Sequence, residues 1–257
     1  MSYWRTAQIF LCVLGLGFAL MLGAVSAQAQ ETPAASEPPP EASETATKTD
    51  APPSESSLWQ RLRARFRTEA DILETPNPLG EIAIGRADAP IVMVEYSSLS
   101  CPHCSAFHAL ILPRLKQDYV APGHLRILFR HFPFDPQGTA GAMLAQCVPP
   151  AQRAGFLDIL FVRQRDWVLS EDPMGRLQNY ARAIGMSEDA VLACWRDEEI
   201  LAGIRTMQKD AYEVLEVRST PTFFINGERY AGNMPVADFA RAFARFLPED
   251  AGAGDAP

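Results

Sequence analysis

The chain has 257 residues, a formal net charge of -8 and 47% hydrophobic residues. This length and apolar content predict one globular domain of ordinary size with additional terminal segments. The acidic balance argues against a nucleic-acid-binding protein, which normally carries a basic surface patch.

Residues 1–29 predict a secretory signal peptide. Arg5 precedes an uncharged stretch from Ala7 to Ala29, and Ala27 with Ala29 forms a small-residue cleavage site. An uncleaved membrane anchor is the alternative, since the apolar run approaches the ~20 residues that span a bilayer. Both interpretations place the folded part outside the cytoplasm, where disulfides persist. Cys12 lies within this segment, so four cysteines remain for the folded part.

Two segments have compositions that disfavour folding. Residues 30–56 are rich in Pro, Ser, Thr and Glu and contain no apolar side chain larger than alanine. They cannot bury enough surface to offset the entropy lost on ordering, so they predict a disordered acidic linker. Residues 249–257 are predicted to form a flexible tail.

Residues 57–74 predict an amphipathic helix. Ser57 and Gln60 form a capping-box pattern. Apolar residues then recur at helical spacing, namely Leu58, Leu62, Phe66, Ala70 and Leu73. Three interpretations stay open: a helix on a membrane surface, self-association through residues 57–73, and packing on the helix's own domain.

Residues 79–248 predict an α/β domain. The stretch IVMVEY at Ile91–Tyr96 is typical of a central strand buried on both faces. A helix is expected from the following residues to about Tyr119, and Leu125–Phe134 predicts a second strand. A helical insertion is expected at about residues 138–208.

The last part of the domain predicts a hairpin and a helix. Asn226-Gly227 is a strong turn signal that joins Thr222–Ile225 to Glu228–Tyr230. Apolar residues recur on one face of the final helix, which is predicted over Pro235–Phe246.

The motif CPHC places Cys101 and Cys104 directly after the first strand. Because proline is favoured at the first helical position, Pro102 makes Cys101 the N-cap and Cys104 the third helical residue. A Cys101 thiolate would face free backbone amides and the positive helix end, with protonated His103 nearby. These effects predict a lowered pKa for Cys101 and a strongly oxidising disulfide. Cys104 is expected to be shielded and to act as the resolving thiol.

Two other interpretations of CPHC are less favoured. A structural zinc site would need further ligands, but Cys147 and Cys194 stand alone, and His108 and His131 lack zinc-finger spacing. An inert crosslink would close a very small loop and stabilise the fold little. We therefore expect a redox-active disulfide, with no metal and no other cofactor.

These features together resemble the DsbA-type thiol–disulfide oxidoreductases. Across roughly residues 79–247 the matching features are the strand before CPHC, Glu95 six residues before Cys101, the helical insertion, and Thr220-Pro221 before the last strand pair. The resemblance implies a thioredoxin fold with an inserted helical subdomain.

The resemblance also implies roles for three residues outside the motif. Glu95 would be a buried proton acceptor for the dithiol; a glutamate at a strand end that reaches solvent is the alternative. Thr220-Pro221 would be a cis peptide bond lying against Cys101, with the Thr220 backbone exposed to bind an extended substrate chain.

Cys147 and Cys194 are predicted to form a structural disulfide between two helices of the insertion, given an oxidising compartment. The alternatives are a second redox pair that relays electrons to CPHC and two unpaired buried cysteines.

The expected function is that of an oxidase in the periplasm or cell envelope. It would donate its disulfide to newly secreted proteins and be reoxidised by a DsbB-type membrane partner, with no nucleic-acid partner. One alternative is a DsbC-like or ScsC-like isomerase or reductase, kept reduced by a membrane electron donor. Another is a peptide-binding or metal-handling accessory protein without turnover.

Overall fold

A five-stranded sheet forms the centre of the computed structural model, which describes residues 67–247. The spatial order of the strands is β1-β3-β2-β4-β5, with β2 and β3 parallel and the other neighbours antiparallel. The strands are β1 (Ile82–Ile84), β2 (Ile91–Ser97), β3 (Leu125–His131), β4 (Thr222–Ile225) and β5 (Glu228–Ala231).

Helices surround this sheet, and those from α4 to α9 form the insertion between β3 and β4. They are α1 (Glu69–Glu74), α2 (Pro102–Ala106), α3 (Leu112–Leu115), α4 (Pro136–Cys147), α5 (Arg153–Val162), α6 (Gln164–Val168), α7 (Pro173–Ala183), α8 (Glu188–Trp195), α9 (Glu198–Glu213) and α10 (Val236–Ala244). The predicted α/β fold with a helical insertion is confirmed. No helix within residues 67–247 is both long and apolar enough to cross a membrane.

The two faces of the sheet contribute to two separate apolar cores. Successive side chains of a strand point to opposite faces. Met93 on β2 therefore packs in the larger core, with the helices of the insertion, while its neighbour Val94 packs in the smaller one. Both faces of β2 and β3 are consequently buried, as the continuous apolar runs in the sequence predicted.

The helix that follows CPHC is irregular. After α2 it passes through a π-helical segment, Phe107–Ile111, where the Leu112 amide donates to the Phe107 carbonyl five residues earlier. Pro113 accounts for the widened turn, because proline lacks an amide and its ring clashes with the carbonyl four residues before it. After α3, a second π-helical segment completes the helix at Lys116–Val120.

The predicted helix over residues 57–74 is wrong at its centre. Thr68 has extended backbone angles and caps a new helix, α1, through a reciprocal capping box with Asp71. The local Thr68–Asp71 pairing therefore starts a short helix where the periodicity predicted a continuous one. The predicted signal peptide, the linker, residues 57–66 and the tail at 249–257 lie outside the described residues.

Arg130 fixes α1 to the sheet. Its buried guanidinium donates to the backbone carbonyls of Ile72, Leu73 and Thr75 and to the carboxylate of Glu81, 3.0 Å away. The carbonyls at the end of a helix lack partners within the helix, so a positive side chain there both pairs them and complements the helix dipole.

The observed strand ends differ little from the predicted ones. β3 ends at His131, earlier than predicted, because Pro133 has no amide to continue the ladder. Asn226 and Gly227 have positive φ angles of 44° and 89°, as the predicted hairpin turn requires. The Asn226 side chain additionally accepts from the Val92 amide at 2.8 Å.

Cys147 and Cys194 are joined by a disulfide that connects α4 to α8. Their Cα atoms are 6.1 Å apart and 47 residues separate them along the chain. Cys194 is buried, and both helices pack within the insertion. This placement supports a structural role for the pair.

Removing this disulfide should cost stability and leave the reactivity of Cys101 unchanged. For a Cys147→Ala/Cys194→Ala variant we expect a loss of about 3–4 kcal/mol in the free energy of unfolding, because a crosslink over this separation restricts the unfolded chain. Urea unfolding measures the loss, and the reactivity of Cys101 toward iodoacetamide is the control. Altered Cys101 reactivity in a folded variant would instead favour electron relay between the two pairs.

Candidate active site

Cys101 and Cys104 occupy the beginning of the helix after β2. Cys101 is the N-cap of α2, with extended backbone angles, Pro102 is the first helical residue and Cys104 is the third. Both cysteines are free thiols; Cys101 is 5% exposed and Cys104 is completely buried. Of the two, only Cys101 retains any exposure, so an attacking thiol reaches that sulfur first.

The Cys101 sulfur lies against the loop before β4. Its Sγ is 3.4 Å from the carbonyl oxygen of Thr220, and the Thr220–Pro221 peptide bond is cis. The Cys101 thiol makes no capping hydrogen bond to α2 and donates to the Thr220 carbonyl instead. The structure thus brings the motif and the Thr220–Pro221 loop together.

The surroundings of Cys101 favour its thiolate. The hydrogen bond from the Cys104 thiol contributes most, and burial opposes it. The Thr220 side chain and the backbone amides of Cys104 and His103 also act on the sulfur, and the pKa of Cys101 falls to about 5. The amides act through their positive ends rather than through a formed capping bond.

Cys104 has the opposite environment. Burial raises the pKa of Cys104 well above its ordinary value, and the hydrogen bond to the Cys101 sulfur and the charge of Glu95 raise it further. At neutral pH one sulfur is therefore an anion and the other a thiol, which is the asymmetry that an attacking and a resolving cysteine require.

His103 does not enclose the sulfur with its ring. Its side chain is exposed, and its contribution to the lowered pKa of Cys101 comes from its backbone amide. The sequence predicted that a protonated imidazole would help; the contribution of His103 that the structure identifies comes from its backbone amide.

Glu95 lies on β2 and is completely buried, so it does not reach solvent. Its Oε2 is 3.2 Å from His108 Nε2, while Oε1 is buried without a hydrogen-bond partner among residues 67–247. Its charge contributes to the raised pKa of the Cys104 thiol, after burial and the hydrogen bond to Cys101.

The sequence did not predict which residues contact the Glu95 carboxylate. His108 joins Glu95 to Asp158 on α5, since His108 Nδ1 lies 2.9 Å from Asp158 Oδ1. Asp158 in turn pairs with Lys116. A signal was present, because His108 follows Cys104 by four residues and so shares its helix face.

Two further contacts hold the loop that carries Cys101. The buried amide of Gln164 donates to the carbonyls of Leu99 and Cys101, both at 2.8 Å. Asp135, which caps α4, accepts from the Ser100 hydroxyl at 2.5 Å. Both contacts come from the insertion, so the helical subdomain fixes the position of the motif.

Comparison with known proteins assigns the family. The family model described as Thioredoxin matches residues 78–244. The chain belongs to the thioredoxin family. The part of the chain that this model matches contains CPHC at a helix start and the cis Thr220–Pro221 peptide bond against Cys101.

Among its relatives in this family, the chain is most usefully compared with three. A Rickettsia bellii protein, named provisionally as a protein-disulfide oxidoreductase, is 29% identical over 157 residues, which are 60% of this chain and 61% of that protein. The crystal structure of alpha-DsbA1 from Wolbachia pipientis is 29% identical with a TM-score of 0.64, over 70% of this chain and 95% of that one. A protein-disulfide isomerase structure from Novosphingobium aromaticivorans is 26% identical with a TM-score of 0.56. The match covers 65% of this chain and 98% of that one.

The predicted resemblance to the DsbA type is confirmed by these comparisons. The thioredoxin fold with its inserted helices extends over nearly the whole Wolbachia structure. The alignment spans about three-fifths of the length of the Rickettsia relative.

Proposed function

We propose that this protein is a thiol–disulfide oxidoreductase that transfers the Cys101–Cys104 disulfide to proteins with free thiols. The observation that carries the proposal is the opposite environment of the two sulfurs, with the pKa of Cys101 lowered to about 5 and that of Cys104 raised. Because the reduced form is stabilised by its thiolate, the disulfide form is the stronger oxidant.

The exchange proceeds in two balanced steps. A client thiolate attacks the Cys101 sulfur, the Cys101–Cys104 bond breaks, and Cys104 leaves as a thiolate that takes up a proton. A second client thiolate then attacks the client sulfur of the mixed disulfide, and Cys101 leaves as a stable thiolate. The client gains a disulfide, the protein becomes a dithiol, and no cofactor other than the Cys101–Cys104 pair takes part.

The Thr220 backbone is the proposed contact for the client chain. Its carbonyl oxygen lies 3.4 Å from Cys101 Sγ, so a segment that binds there places its own sulfur beside the reactive one. The signal peptide predicted at residues 1–29 supports a location in the periplasm. There a DsbB-type membrane protein would restore the disulfide.

Disulfide isomerisation is the second candidate activity. The similarity to the Novosphingobium isomerase favours it, since that structure is 26% identical over 65% of this chain. An isomerase uses the same Cys101 thiolate but must be kept reduced, so the supply of electrons distinguishes the two activities.

The oxidation of reduced ribonuclease A and the reactivation of scrambled ribonuclease A test the two candidate activities. The oxidised protein should remove thiols from reduced ribonuclease in proportion to the Cys101–Cys104 disulfide consumed, scored by alkylation and mass. The Cys147→Ala/Cys194→Ala variant is the control and should behave like the wild type. Failure to consume ribonuclease thiols would refute the oxidase. Recovery of active ribonuclease only from the scrambled form, with the reduced protein, would establish the isomerase instead.

A further inference from the structure

A row of polar side chains leads from the buried Glu95 to the protein surface. It begins at Glu95, whose charge acts on Cys104, continues through His108 and Asp158, and ends at Lys116. The exposed fraction rises along the row, from 0% for the side chains of Glu95 and His108 to 27% for Asp158. Each link from Glu95 to Lys116 is within hydrogen-bonding distance, and Glu95 acts on Cys104 through its charge.

We propose that His108 and Asp158 form a proton relay that connects Glu95, and through it Cys104, with solvent. This inference rests on the proposed function and adds two positioning residues to it. The relay solves a specific problem, because a buried thiol must exchange a proton in every cycle and direct contact with water is closed to it.

The ring of His108 is held in the orientation that a relay needs. It stacks on Phe161 with ring centroids 3.9 Å apart and also contacts Phe107 and Phe129. The π-helical turn at Phe107–Ile111 carries it, and such turns are frequent at functional sites. With apolar rings around it, the imidazole has polar contacts at its two nitrogens, one on each side.

The charged groups around His108 favour proton transfer through its ring. The ionisable groups that face the ring are Glu95 from β2 and Asp158 from α5; Lys116 acts on it through Asp158. Burial alone would lower the pKa of His108, but the charge of Glu95 and the bonds to Asp158 and Glu95 outweigh burial and raise it. The imidazole can therefore hold a proton between two carboxylates.

The relay works during resolution of a mixed disulfide. The Cys104 thiol gives its proton to Glu95, and its sulfur attacks Cys101, which breaks the bond to the external sulfur. Glu95 passes the proton to His108 Nε2 while the proton on Nδ1 moves to Asp158 and then to water. The leaving thiolate takes its proton from solvent, so protons and electrons balance.

The experiment follows the reaction of the reduced protein with oxidised glutathione. Acid quenching and mass spectrometry measure formation of the Cys101–glutathione disulfide and then its resolution by Cys104. Asp158→Asn is the main variant, because its side chain is partly exposed and the amide retains the shape. Asp118→Asn is the matched control, since Asp118 is a partly exposed carboxylate paired with Arg114 outside the relay.

We expect Asp158→Asn to slow resolution about 10-fold and His108→Gln to slow it about 100-fold, the range of general acid–base effects. In both variants the resolution rate should rise about tenfold per pH unit, since bulk base must now take the Cys104 proton. Asp158→Glu should restore the wild-type profile. Alkylation of Cys101 by iodoacetamide should change less than about twofold, because that step needs no proton from Cys104.

The outcomes separate the relay from the function. If the wild type does not react with oxidised glutathione, the proposed function fails. If it reacts and Asp158→Asn resolves like Asp118→Asn with the wild-type pH profile, the relay is refuted. If both steps slow equally, Asp158 is only structural, and the relay is again refuted.

Discussion

A Cys101→Ser variant is expected to lose turnover completely, whereas a Cys104→Ser variant should stop halfway and hold its client. In the proposed mechanism the client attacks the sulfur of Cys101, and a hydroxyl at that position cannot form a disulfide. With Cys104 replaced, Cys101 remains a thiolate beside Thr220, but the proposed resolving thiol is gone and the bond that Cys101 makes persists. The mixed disulfide should therefore accumulate close to one equivalent.

Mass spectrometry of each variant after reaction with an oxidised peptide measures this difference. The Cys147→Ala/Cys194→Ala variant provides the control, because both redox sulfurs remain and the mixed disulfide should stay transient. Retention of full activity in Cys101→Ser would favour a peptide-binding accessory protein without turnover. Accumulation on Cys101→Ser instead of Cys104→Ser would reverse the two assigned roles.

The local features of the site could be predicted from the sequence because they depend on neighbouring residues. Pro102 at the first helical position determines which cysteine is the N-cap, and the structure places Cys101 there. Asn226-Gly227 determines the hairpin for the same reason. Apolar runs of β-branched residues likewise indicate buried strands wherever they occur.

Long-range contacts determine the remaining features. His108 and Asp158 are 50 residues apart, and Gln164 lies 63 residues after the Cys101 carbonyl that it binds. At such separations along the chain, no local pattern predicts which face of α5 or α6 contacts the CPHC segment. The contact between Cys101 and Thr220, 119 residues later in the chain, follows from the family resemblance and not from any local pattern.

The proposed protein oxidises its clients, and is not oxidised by them, because the Cys101 thiolate stabilises the reduced form. The lowered pKa also determines how the stability of the reduced protein depends on pH. The Cys101 thiolate contributes fully to the free energy of unfolding above the ordinary cysteine pKa. This contribution disappears as the pH falls through about 5. The absolute rate of alkylation does not report the pKa of Cys101, because a less basic thiolate is also a weaker nucleophile.

The pH at which Cys101 becomes half reactive tests this account most directly. The reduced protein is alkylated with iodoacetamide from pH 3.5 to 9, and peptide mass spectrometry assigns the label to Cys101; unfolded protein serves as the reference. We expect a midpoint at about 5 in the folded protein. The reference should titrate at about 8.5. A folded-state midpoint near that of the unfolded chain would contradict the account.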